Sequence, residues 1–167
     1  MRTIIVSILI CVSSAWSQSL SISGFWSLPE KTIGISGHTN SSGLGFYADF
    51  RTSLKKDNFY AIAPKHSDTH QVIKSDFDRI AMNMGVTSKS LFFAIGFEYR
   101  KTLFELNDPN NLLGNSNGEY WIESDRKATI KPNLVFGILQ RWTGPLGWRI
   151  GGNFLNKSLD LGAIIFF

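Results

Sequence analysis

The residues in this chain that could do acid–base or nucleophilic chemistry are few. There are three histidines, His38, His66 and His70, and a single cysteine, Cys11. A histidine held beside a serine can act as the base that activates it, provided the fold fixes their separation. His38 is followed by Thr39, Asn40 and Ser41 in a stretch that reads as a turn. That does not reproduce a His-x-Ser pair projecting from one face of a strand. His66-Ser67-Asp68-Thr69-His70 is denser in suitable groups. It falls in a long connection where nothing pre-organises it, so it reads as a solvated loop rather than a catalytic or metal site. No catalytic residue, metal ligand or cofactor is expected.

A second set of chemically capable residues is larger and more regular. Asp49, Arg51, Arg79, Glu98, Arg100, Lys131, Arg141, Arg149 and Asp160 all occupy the polar phase of segments that alternate apolar and polar residues. Period two marks β-strands, because successive side chains point to opposite faces. Eight segments show it, near 19–28, 31–38, 44–54, 79–87, 90–103, 129–142, 147–155 and 158–167. The third is among the clearest: Leu44, Phe46, Ala48, Phe50 and Leu54 face one way, with Tyr47, Asp49, Arg51 and Ser53 opposite. In the last, Leu159, Leu161, Ala163, Ile165 and Phe167 form an apolar row against Asp160.

Composition sets bounds on what such a chain does. The formal net charge of +4 over 167 residues is too mild to argue for nucleic-acid binding. Mean hydropathy is near neutral, at −0.01. Met1-Arg2, the apolar run Ile4 to Val12 and Ala15-Trp16-Ser17 look like a secretory signal peptide over 1–17. The mature domain is then expected over 18–167. Cys11 lies in the leader, preceded by Ile8-Leu9-Ile10, which favours cleavage over a lipoprotein anchor. Neither a disulfide framework nor thiol chemistry is then available. Beyond the leader there is no run of about 18 apolar residues, so a transmembrane helix is excluded. A membrane can still be crossed by strands of about 9 to 11 residues, provided they close into a barrel that pairs every backbone N–H and C=O.

The connections supply a separate test. If both ends of an eight-strand chain lie on one side, the second, fourth and sixth connections are on that side too. In a transmembrane barrel those are the short ones. Here they are 38–43, 88–89 and 143–146, all turn-like. The long connections, about 55–78 and 104–128, fall on the other side.

The alternation, the loop parity and the terminal Leu159-x-Leu161-x-Ala163-x-Ile165-x-Phe167 run resemble the small eight-stranded bacterial outer-membrane β-barrel superfamily, which includes the OmpA transmembrane domain and OmpX. The resemblance covers nearly all of the mature chain. It implies an all-β, eight-stranded antiparallel up-and-down transmembrane barrel. It implies insertion into the outer membrane of a Gram-negative bacterium, with the terminal row read by the insertion machinery, and contact with outer-membrane lipid and lipopolysaccharide. No peptidoglycan-binding domain is expected after Phe167. Trp26 and Tyr99 are expected near the extracellular rim, and Trp142 and Trp148 near the periplasmic one, as an aromatic girdle.

An eight-stranded barrel has an interior just wide enough for side chains. The nine charges above are therefore expected to pair inside it, with Asp49, Glu98 and Asp160 bridged by neighbouring arginines. A gated ion path through the positive excess is the sharper possibility. The same pattern is compatible with a lipid-modifying outer-membrane enzyme. It is also compatible with a secreted β-sandwich, which shows the same alternation with its apolar face turned into a core. The favoured expectation is a non-enzymatic, monomeric protein of the envelope. Its role would be structural, or recognition and adhesion through the two long loops.

Overall fold

The computed structural model describes residues 19–40, 43–54, 56, 59–60, 71–107, 119–124 and 127–167. The leader, His66 and His70 lie outside them. Among the described residues there are ten strands and no helix.

Eight of these strands build the wall: β1 (Ser19–Leu28), β2 (Thr32–Asn40), β3 (Leu44–Ser53), β5 (Val72–Ser88), β6 (Leu91–Asn107), β8 (Thr129–Thr143), β9 (Leu146–Asn153) and β10 (Ser158–Phe166). Two short strands, β4 (Phe59–Tyr60) and β7 (Glu119–Glu123), lie in the long connections. Each wall strand pairs antiparallel with its chain neighbours, and β10 returns to β1 with Ser21 opposite Phe166 and Leu28 opposite Leu159. The sheet is thus a closed eight-stranded antiparallel barrel, with no open edge in its wall.

The side chains sort inside out relative to a water-soluble protein. Ser23, Ser36, Asp49, Arg51, Asn83, Glu98, Asn133, Arg149, Asn153 and Asp160 are buried, whereas Ile35, Met84, Leu91, Ile95, Leu161 and Ile165 are exposed. A soluble sandwich would reverse this, because its apolar faces would meet each other. The only cost-free solvent for the exposed belt is hydrocarbon.

The strands differ from the sequence expectation in reach. β5 starts at Val72 rather than 79, and β6 runs to Asn107 rather than 103, so the wall rises past the belt where the long connections were expected to be loops. β2 continues to Asn40 because Ser19 to Ser21 of β1 pair it throughout. His38 is therefore in the wall and not in a turn. Phe154 leaves strand β9 for the turn 154–157.

Above the belt, β7 pairs antiparallel with the top of β6, from Leu103 opposite Glu123 to Asn107 opposite Glu119. β4 then adds to the far edge of β7 in parallel. These strands and the upper halves of β5 and β6 form a four-stranded blade. Between β3 and β4, Lys56 lies against the blade's outward face: it bonds Asp76 of β5 and lies 4.7 Å over the ring of Trp121 of β7. Both belong to the phase that faces outward lower down.

Candidate functional site

Three places hold side chains able to do more than fill space: the barrel interior, the blade, and a cleft where the two join. The interior divides into layers. Lowest is an apolar plug of Tyr47, Phe92, Ala94, Val135, Leu139, Ile164 and Phe166, with Tyr47 and Phe92 stacked at 4.5 Å between centroids. The glycines of the inner face make room for these rings. A methyl group added at Gly137 would stand 2.6 Å from a Phe92 ring carbon.

Above the plug lies a charge cluster. Arg51 binds Asp49 at 2.9 Å and Asp160 at 3.2 Å, and Arg149 binds Asp160 at 3.1 Å. Tyr47 donates its hydroxyl to Asp49 at 2.7 Å, Asn83 donates to Asp49 at 2.6 Å, and Ser27 donates to Asp160. Arg149 also donates to Ser36 at 2.8 Å and stacks 3.7 Å from the centroid of Phe25. Two carboxylates and two guanidiniums balance, and hydrogen bonds take up most of their remaining valences, Arg149 Nε excepted, which is the condition for tolerating buried charge.

Register explains the cluster's upward continuation. Ser23, Ser36, Asp49, Asn83, Gly96 and Asn133 are successive cross-strand partners in one row of the sheet. Gly96 has no side chain, so Asn133 reaches across it to donate to Asn83 at 2.8 Å. Asn153 donates to Asn133, and Asn156 donates to Glu98, which also accepts from Arg100. Arg79 reaches Glu98 at 3.9 Å and caps the set by donating to Glu30 in the turn between β1 and β2. Burial raises the Glu30 carboxyl above its ordinary value, only partly offset by Arg79.

Of the nine charges marked in the sequence, the structure brings seven into these two groups. Lys131 and Arg141 are not among them. Both keep the inward phase, but they stand at opposite ends of β8 and are exposed at the mouths. Arg141 lies 4.6 Å over the Phe166 ring, the lower lid of the plug. Asn83, Asn133, Asn153, Asn156 and Glu30 went unmarked, since neutral amides carry no signal of their own. Their inward phase was the available clue for those in strands.

His38 is buried at the bottom of the barrel with its ring edge-on to Phe166, 5.9 Å between centroids. Neither ring nitrogen has a partner among the described residues. Thr39 points to the opposite face, where its hydroxyl accepts from the backbone N–H of Phe46 at 2.8 Å. The pair therefore cannot act on one substrate. Among the described residues, no group of three His, Cys, Asp or Glu is placed to hold a metal ion.

Outside, Trp26 and Tyr99 lie exposed toward the blade end, and Trp142 and Trp148 toward the end with short turns. Leu159, Leu161, Ala163, Ile165 and Phe167 all point outward. The blade is built differently. Leu103 and Leu106 lie on opposite faces of β6, yet both are buried, as are Tyr120 and Trp121. A cleft of about 770 Å³ opens where it meets the barrel wall, lined by Ile33, Thr52, Ser53, Leu54, Lys56, Phe59, Asp78, Leu103 and Glu123.

No family model matches the sequence, and no curated protein matches it. Among solved structures, the chain is similar to Ail, the attachment invasion locus protein of Yersinia pestis. In its complex with the heparin analogue sucrose octasulfate, Ail aligns with a TM-score of 0.54 at 12% identity, covering 90% of this chain and 97% of Ail. Another Ail structure aligns with a TM-score of 0.51 at 11% identity over the same shares. The architecture is that of the small eight-stranded outer-membrane β-barrels.

Proposed function

We propose that this chain is a non-enzymatic protein of the Gram-negative outer membrane, exported by its leader, whose working part is the extracellular blade. The observation that carries this reading is the contrast between a filled barrel and a projecting sheet. Plug, charge cluster and asparagine ladder occupy the interior, which favours a scaffold over a conduit. The blade stands beyond the apolar belt on strands continuous with the wall, the arrangement by which a rigid frame presents a recognition surface.

The chemistry of the blade favours a protein partner. Among its described residues the charges are mixed with an acidic excess, Asp76, Asp78, Glu105, Glu119 and Glu123 against Lys56, Lys74 and Lys101. That surface does not suit a polysulfated ligand of the kind seen with Ail. Along Val72 to Asp76, no described strand pairs the outer edge of β5, and Val72 and Ile73 are exposed there. An edge with free backbone groups and apolar side chains suits an added strand. The test is adhesion of whole cells displaying the full chain, compared with cells displaying Ile73→Pro, which disrupts a strand edge at that point. Reduced adhesion at equal surface display supports the recognition role. Unchanged adhesion leaves the blade as a steric shield and sinks it.

A further inference from the structure

The rim at the blade end carries opposite charge on its two sides. The blade, with its acidic excess, rises from β5 and β6, and in the ring of eight wall strands these stand opposite β10 and β1. On that far side the wall ends in two short turns, 29–31 between β1 and β2 and 154–157 between β9 and β10. Each turn closes on an exposed lysine with a left-handed backbone, Lys31 at φ 52° and Lys157 at φ 53°. Lys157 leads into β10 and Lys31 into β2, with only β1 between, so they stand two strand spacings apart across the sheet, roughly 10 Å. Neither ammonium has a partner among the described residues. Within 19–40 and 127–167 the side-chain carboxylates are Glu30 and Asp160, and both are committed: Glu30 bonds Arg79, and Asp160 is held by Arg51 and Arg149. Beneath the lysines the surface is apolar up to the turns themselves. Leu28 and Leu159 are cross-strand partners and both are exposed, as are Phe154 and Leu155 within the second turn. Hydrocarbon therefore reaches the turns, and the two lysines stand where acyl chains give way to headgroups.

We propose that this low side of the rim binds the doubly phosphorylated lipid A headgroup of lipopolysaccharide, with Lys31 and Lys157 each donating to one phosphate and Leu28, Phe154, Leu155 and Leu159 lying against its acyl chains. Two separated cations with no carboxylate to neutralise them match two phosphates. The acidic blade on the opposite side repels the same headgroup. Contact on one side alone then sets which way the blade faces over the leaflet.

The proposal rests on the outer-membrane reading, which heat-modifiable gel migration of the parent and each variant tests separately. The direct experiment is native mass spectrometry of the full chain in detergent, offered lipid A, its monophosphoryl form, and lipid A with excess inorganic phosphate. The expected result is one retained lipid A, favoured about tenfold over the monophosphoryl form, the discrimination one charge-assisted hydrogen bond supplies. K31N/K157N, in which asparagine tolerates the left-handed backbone, should bring the two forms to parity. K89N should behave as the parent, because Lys89 has the same conformation, φ 53°, and is equally exposed, but lies in the turn between β5 and β6 at the other end of the barrel. Equal retention of the two forms by the parent, a preference that survives in K31N/K157N, or one that disappears in K89N would overturn the assignment. Displacement of lipid A by millimolar inorganic phosphate would overturn it too, by making the turns a site for a free anion. A variant that keeps its heat-modifiable migration is a folded barrel, so a lost or absent preference there bears on the lysines and leaves the membrane reading standing.

Discussion

Ile95 and Ile73 are the same residue type, about equally exposed at 60% and 53%, yet they belong to regions built on opposite rules. Ile95 lies on the belt of a barrel whose interior is charged. Ile73 lies on a blade that buries Leu103, Leu106, Tyr120 and Trp121. Strand β6 passes through both. Up to Arg100 its apolar residues point out, except Phe92 and Ala94 of the plug, and Glu98 points in. Beyond that, both of its faces bury leucine. Exposure therefore acquires meaning only with the solvent that a region meets: in hydrocarbon an exposed isoleucine is satisfied, whereas in water it is a surface awaiting a partner.

The contrast can be broken most strongly at the charge cluster. Arg149→Met should leave Asp49 and Asp160 short of a counter-charge inside the barrel and cost about 3–5 kcal/mol, the usual penalty for orphaning a buried charge. The measurement is urea unfolding from vesicles. A loss below about 1 kcal/mol would mean that water fills the interior instead of protein. Next in size is the solvent itself. Ile95→Lys should cost about 2–4 kcal/mol because the charge enters hydrocarbon, whereas Ile73→Lys should stay within about 0.5 kcal/mol. Equal penalties at the two sites would erase the distinction between belt and blade.

A third substitution separates the regions by their response. Leu106→Ala should destabilise the blade by about 2 kcal/mol, at the low end for a truncation because the site can relax toward water. Limited proteolysis of the blade should accelerate, with the heat-modifiable migration of the barrel unchanged.

The smallest effect concerns the pair of Lys56 and Asp76. Burial works to raise the Asp76 carboxyl, but hydrogen bonds from Lys56 and the Phe77 backbone N–H, with the charge of Lys56, hold it below its ordinary 3.8. A depressed carboxylate contributes its stability above the unfolded value and loses it as pH falls. Protease access at Lys56 should therefore rise as pH drops below about 4, by under about 1 kcal/mol since the pair is partly exposed. Asp76→Asn should abolish that pH dependence. A dependence that persists in this variant would place the switch elsewhere.

Much of the barrel was legible along the chain. Eight wall strands, the antiparallel order and the lipid-facing phase follow from alternation, because a strand's period of two is local and needs no knowledge of its neighbour. The blade was less so. The connection 104–128 gives no strand signal, since in water a short strand with both faces covered carries no clean alternation. The cleft was invisible, because its lining comes from distant strands and from Lys56, which is brought over Asp76 of β5 and Trp121 of β7.

His38 shows the same limit from the other side. Its sequence context reads as a turn, and only pairing with Ser21 of β1 draws it into the wall. Lys131 and Arg141 have the inward phase that alternation assigns them, but depth along the barrel axis is not a property of phase. The sequence by itself determined which residues face lipid and which face inward, since that depends on the geometry of single strands. Which inward charges meet, that Asn133 reaches Asn83 over Gly96, and where an apolar cleft opens beside the bilayer were decided by the tertiary structure. Those depend on the stagger between strands and the path of a long connection, and pairings distant in the chain set both.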